Sequence, residues 1–203
     1  HVGGTDFDKL LNLLKVMPEL GRGTLTADGK RHLPQWYFQD MATCHRISQL
    51  YTPKILREMH ELQREAAEPE KLENFIHLLR QRAGHRLAGV VEAAKLALSH
   101  EDQTIITLKE DGLALGIPAT REEFEAAVTG LIDKIGAALD QAVAEAGVTH
   151  DAVETIILTG GGAQVPSVLA AVRQRFAQGR IVAADKFGAV GLGLAVDAAR
   201  RFG

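Results

Sequence analysis

The chain is poor in several things that define large classes of protein. It has one cysteine, Cys44, in 203 residues. An internal disulfide is therefore excluded, and a reducing, cytoplasmic setting fits. Aromatic residues make up only 5% of the chain, so its core must be built mainly from aliphatic side chains. No apolar run is long. The longest, Gly188 to Val196, falls far short of a bilayer span. Neither sign of charge dominates: 23 Lys and Arg stand against 26 Asp and Glu, a net charge of −3. That balance offers no general attraction for nucleic acid or an anionic membrane surface. There is no His-Glu-x-x-His, no His-Cys cluster and no Gly-x-Ser-x-Gly elbow, which leaves zinc chemistry and serine hydrolysis without a motif. The chain opens on His1-Val2-Gly3-Gly4, with no methionine and no secretory leader, and reads as a piece of a longer protein that starts inside a turn-like motif.

What is present is a chain that is 46% apolar, enough for one large domain or two small ones. A short helix is expected from about Asp6 to Val16, with Asp6 or Asp8 near its start, capping it and facing water. Residues 18–34 carry Pro18, Gly21, Gly23, Gly29 and Pro34 and read as a loop. A mostly helical stretch follows from Trp36 to Glu65, with Trp36, Tyr37, Phe38 and Tyr51 as core candidates. After Pro69, a helical pattern runs from Glu70 to about His100 with a break near Gly84. Two β-rich runs, Thr104 to Leu108 and Leu113 to Ile117, flank Asp111-Gly112, a hairpin signal. Thr120 and Glu123 have capping-box spacing ahead of a helix that stops at Gly147.

The last third predicts a βαβα unit: strand 154–159, helix 167–177, strand 180–184 and helix 188–201. Two parallel strands are a poor sheet alone, so further strands, another chain or self-association through the exposed edge are expected. The first strand runs into Leu158-Thr159-Gly160-Gly161-Gly162-Ala163-Gln164-Val165-Pro166. Glycines at a strand-to-helix turn let backbone approach a ligand, and the helix N-terminus beyond offers free N–H groups to an anion. The turn is neither a Walker A loop nor a dinucleotide fingerprint. An ordinary tight turn is the competing reading.

Glu92, Lys95 and Ser99 stand at i, i+3 and i+7, on one face of the long helix. They form either a clamp for a ribose or purine edge, or an exposed ion pair beside a helix-end serine. Cys44 next to His45 does not make a catalytic pair, because neighbours on a helix face apart. The basic group Arg22, Lys30, Arg31 and His32 reads as a solvated loop.

In order along the chain, these pieces resemble the seventy-kilodalton heat-shock chaperones of the DnaK type. Gly3-Gly4-Thr5-Asp6-Phe7-Asp8 is similar to their Gly-Gly-x-Asp-Phe-Asp segment. His85 through Glu92 and Lys95 to Ser99 is similar to their adenosine-binding helix. The glycine turn at 158–166 is similar to their Val-Gly-Gly-Ser-x-Arg-Ile-Pro turn, and Gly188 to Ala199 to their final helix. The 18–70 segment and Asp185-Lys186-Phe187-Gly188 resemble the divergent YegD-like branch.

The resemblance implies an α/β, actin-like (ribonuclease H-like) ATPase fold in which two lobes close over Mg-ATP. This chain would be most of the second lobe. Residues 1–128 would be its outer subdomain, with the helical insertion 18–70, and 129–203 the C-terminal part of its inner subdomain. Gly4, Gly160 and Gly161 would approach the phosphates and ribose by backbone. Glu92, Lys95 and Ser99 would hold the adenosine. Gly162 and Gln164 stand where the family has Ser and Arg, and Leu96 replaces a basic residue, which weakens the grip on adenine. The cofactor implied is ATP or ADP with Mg2+. The partners implied are the first lobe, client proteins and co-chaperones, with no nucleic acid and no membrane. The first lobe's phosphate loop is absent from this sequence, so no hydrolysis is expected from this chain alone. The alternative is an actin-like lobe kept for protein interaction without nucleotide.

Overall fold

The computed structural model describes residues 2–183 and 188–202. They form two compact units: Thr5–Val128, and the chain from Thr129 onward together with the residues before Thr5.

The first unit begins with α1 (Gly4–Leu11), a π-helical stretch (Asn12–Val16) and a 3-10 turn (Met17–Leu20). Gly4, expected in a turn, lies in the first turn of α1. The 3-10 turn ends at Gly21, whose φ of 100° only glycine adopts without strain. Helix α2 (Trp36–Met41) and a 3-10 segment (Cys44–Leu50) precede α3 (Pro53–Glu65). Thr52 caps α3: its hydroxyl accepts from the Ile55 N–H at 3.2 Å, and Pro53 takes the first helical position. Tyr37 and Phe38 are core residues as expected, but Trp36 is 46% exposed, a correction to its core assignment. Its ring lies instead against Tyr37, 3.7 Å between centroids. Arg22 and Arg31 are committed locally, to the Leu13 carbonyl and to Glu65.

Helix α4 (Pro69–Arg80) packs on α3 and buries Leu72, Phe75, Ile76 and Leu79. Helix α5 (Gly84–Leu98) starts where glycine is needed for close approach. A Cβ on Gly84 would press on Ile47, Tyr51 and Met41, and its N–H donates to the Tyr51 hydroxyl at 2.9 Å. Helix α5 lies on the hairpin of β1 (Gln103–Glu110) and β2 (Leu113–Thr120). The register pairs Ile106 with Ile117 and Leu108 with Leu115. These four side chains are buried, while Thr107, Lys109, Ala114 and Gly116 face out, the alternation of a sheet covered on one side. The two-residue loop Asp111-Gly112 takes a positive φ at Gly112 alone. Helix α6 (Arg121–Glu145) opens on a complete capping box. Glu123 N–H donates to the Thr120 hydroxyl at 3.2 Å, and Glu123 Oε2 accepts from the Thr120 N–H at 3.0 Å.

The second unit holds β3 (Thr155–Leu158), α7 (Pro166–Arg175), β4 (Arg180–Ala183) and α8 (Gly188–Phe202). Strands β3 and β4 are parallel, Ile156 beside Ile181. One face of this sheet packs Ile156, Leu158 and Ile181 on Val143, Val172 and Phe176. The other face leaves Ile157 66% exposed and Val182 37% exposed. Asp140 ties the unit together, accepting from Arg175 Nε at 2.9 Å and lying 3.0 Å from His150 Nε2. The Arg175 guanidinium holds the Asp140 carboxyl below its usual range, with help from His150. The Arg175 guanidinium lies against Gly136 of α6, where a Cβ would press on it. The Asp185-Lys186-Phe187 part of the expected signature lies outside the described residues.

Candidate functional site

Helix α5 carries the densest set of expected functional side chains. Its buried stripe is Leu87, Val91, Ala94, Lys95 and Leu98. Lys95 thus sits in the apolar face and is only 2% exposed. Its ammonium meets Asp8 Oδ1 of α1 at 2.7 Å. This corrects two expectations. Lys95 is not half of an exposed pair with Glu92, and Asp8 is not a water-facing cap. Asp8 lies two residues after a partly exposed Asp6, inside α1, with its side chain 20% exposed.

The pair is electrostatically expensive. Desolvation pushes the Asp8 carboxyl above its ordinary pKa even though Lys95 pulls it down, and Glu92 adds to the rise. At 2.7 Å the Lys95 ammonium is a direct, charged partner for Asp8 Oδ1. One turn on, Asn12 is 2% exposed and its Oδ1 is buried with no hydrogen-bond partner among the described residues.

Glu92 is exposed, and Leu96, beside Lys95, is 39% exposed. Ser99 is the C-terminal cap of α5. Its hydroxyl donates to the Lys95 carbonyl at 3.3 Å. The face therefore presents one free carboxylate and one locally bonded hydroxyl, with the ammonium behind them held by Asp8. The signal for Asp8 was available in the sequence: Lys95 follows Val91 by four residues and so falls in the apolar stripe, where a buried cation needs an anion.

In the second unit, β3 ends in the glycine turn. Gly160 has φ 84° and ψ 162°, a conformation essentially confined to glycine. A Cβ at Gly160 or Gly161 would meet nothing within 4 Å, so their backbone fronts open space. Gly161–Gln164 forms a 3-10 turn, and α7 then starts at Pro166 with no side chain capping it. Pro166 has no N–H, and the Val168 and Leu169 N–H groups donate to the Val165 carbonyl at 3.0 and 3.2 Å, so the Ser167 N–H is the one left to water or to a ligand. The Ser167 hydroxyl, next to this end, is buried without a partner. Gly162 is half-buried, and the side chain of Gln164 lies outside the described residues. Among the described residues no three metal-ligating side chains converge, and no helix is long and apolar enough to cross a membrane.

The described helices and strands make this a mixed α/β protein. The family is shown by comparison. A family model described as Hsp70 protein matches residues 62–203, and the chain belongs to that family. The chain is 36% identical over 107 residues to a chaperone protein HscA homolog from Cupriavidus necator, covering 52% of this chain and 17% of that protein. It is 30% identical over 117 residues to the heat shock 70 kDa protein BIP3 of Oryza sativa subsp. japonica, covering 52% and 18%. It is 35% identical over 85 residues to heat shock protein hsp88 of Neurospora crassa, covering 41% and 12%. The chain thus spans less than a fifth of the length of these relatives.

Proposed function

We propose that this chain is the second lobe of an actin-like, ATP-dependent chaperone nucleotide-binding domain, with 1–128 and 129–203 as its two subdomains. Glu92, Lys95 and Ser99 are its adenosine-side residues. Gly4, Gly160 and Gly161, with Gly162 and Gln164, are its ribose- and phosphate-side residues. The observation that carries this reading is the backbone at Gly160 and Gly161, open where a Cβ would stand and followed by an uncapped helix start. That arrangement lets the backbone of the turn and the Ser167 N–H come close to phosphate oxygens. The fit is good at the glycine turn. At Lys95 it holds only if the ammonium serves the nucleotide while remaining against Asp8.

Bound Mg-ATP would supply the γ-phosphate whose hydrolysis drives the chaperone cycle. This chain's residues bind and orient; they include no phosphate loop and no base, so hydrolysis belongs to the intact protein. Its partners in this reading are the first lobe, clients and co-chaperones.

A second reading has a specific observation behind it. Lys95 already has an anion, and Leu96 puts an apolar side chain where the family has a basic one. Both suit an interaction module that has lost its nucleotide. Calorimetric titration of the protein with both lobes present, using Mg-ATP, separates the two. Under the first reading binding is saturable, and Glu92→Gln with Ser99→Ala weakens it by about tenfold, the loss of one or two hydrogen bonds to a ligand. Absence of binding at millimolar nucleotide establishes the second. These two positions are preferred to Lys95, whose substitution would also disturb a buried ion pair.

A further inference from the structure

Between α3 and the end of α4 lies a cavity of about 320 Å³. Leu50 and Leu79 are its buried floor, Leu56 and Pro53 rise beside them, and Arg80 and Arg82 stand exposed at its rim. Its size is at the lower end of the range of about 300–1,000 Å³ for ligand sites, which suits one or two side chains rather than a cofactor. The matched family region begins at residue 62, so Leu50, Pro53 and Leu56 belong to the part of the chain outside it. The groove exists because that segment packs on α4.

Among the described residues neither arginine pairs with a carboxylate. Arg80 Nη2 is 3.0 Å from His60 Nε2, and the Arg82 guanidinium lies 6.0 Å from the centre of the Tyr51 ring. The backbone at Arg82 is also unusual. It is the one non-glycine residue with positive φ, 48°, among the described residues. It terminates α4 as a left-handed cap, with the Ala83 N–H donating to the Leu78 carbonyl at 3.0 Å. Glycine would occupy that position about 1 kcal/mol more cheaply. Arginine there costs stability and places a cation over the groove.

We propose that this groove binds a peptide segment in which an apolar side chain stands next to a carboxylate. The apolar side chain fills the space above Leu50, Leu56 and Leu79. The carboxylate bridges Arg80 and Arg82, whose planar forks suit it. The proposal does not depend on nucleotide binding elsewhere in the chain.

Fluorescence anisotropy tests it with a short, labelled, amidated peptide that alternates Glu and Leu. The expected result is saturable binding to the full chain. Replacing Glu by Gln, or Leu by Ala, in the peptide weakens binding by about tenfold each. Arg82→Gly and Arg80→Gln each weaken it several-fold, and together they abolish it. Arg82→Gly also relieves the left-handed backbone, so its thermal midpoint stays at or above that of the parent, and lost binding is not lost folding. Equal binding of the Gln peptide, equal binding of the Ala peptide, displacement by an oligonucleotide of the same charge, or indifference to the double substitution would each overturn the proposal.

Discussion

Asp8→Leu is expected to destabilise the first unit by about 3–5 kcal/mol, because it leaves the Lys95 ammonium buried with no anion. Lys95→Met should cost less, about 1–2 kcal/mol. The Asp8 side chain retains 20% exposure, so its carboxylate can turn toward water once the ammonium is gone. The double variant Asp8→Leu/Lys95→Met should return to within about 1 kcal/mol of the parent, since well-packed apolar groups replace a buried pair at little net cost. Urea unfolding of the four proteins measures this. Additive losses in the double variant would mean that the two groups do not act as a pair.

The pH dependence has a definite sign. Burial raises the Asp8 pKa in the folded state above its ordinary value of 3.8. Folding therefore favours the protonated carboxyl. Its contribution is fully present below the unfolded pKa and is lost as pH rises through the folded one. Lys95 opposes that rise, so removing it should raise the folded pKa further. Lys95→Met should lose stability more steeply than the parent as pH increases through the mildly acidic range.

Gly21→Ala is expected to cost about 2–4 kcal/mol. Two terms add. The residue sits at φ 100°, where a Cβ is strained by about 1–2 kcal/mol. That Cβ would also overlap Leu72 Cδ2, and Leu72 is fully buried beside Phe38. Overpacking of this kind costs about 1–3 kcal/mol more. Gly23→Ala and Gly29→Ala separate the terms. Both glycines have positive φ, 87° and 72°, but a Cβ at either meets nothing within 4 Å. They should lose about 1–2 kcal/mol each by the same unfolding measurement. If Gly21→Ala loses no more than they do, the close contact with Leu72 is not what holds the turn against α4.

Most of the architecture was legible because local signals agreed with tertiary ones. Pro53 and Pro69 mark helix starts, Asp111-Gly112 marks a hairpin, and Thr120 with Glu123 forms the capping box that its spacing implies. The parallel pairing of β3 with β4 followed from two β-rich runs around a helix of sufficient length. The π-helical stretch at Asn12–Val16 had no signature, since its residues suit an ordinary helix equally well. At the site, spacing placed Glu92, Lys95 and Ser99 on one helix, and the Val91–Lys95 interval put Lys95 in the apolar stripe, but nothing local named the anion that meets it. That depended on α1, whose Asp8 is remote in sequence and opposite in charge. The Arg82 cap was hidden for a related reason. Left-handed helix ends are read from glycine or asparagine, and here the position holds arginine.

The most direct measurement is photolabelling of the protein with both lobes present, using an azido-adenine analogue of ATP, followed by mapping of the labelled peptides. Label on the 92–99 segment of α5 or on the 159–166 turn, removed by excess unmodified ATP, is the result this account predicts. Label that ATP does not displace, or label confined to the 18–70 insertion, would contradict it.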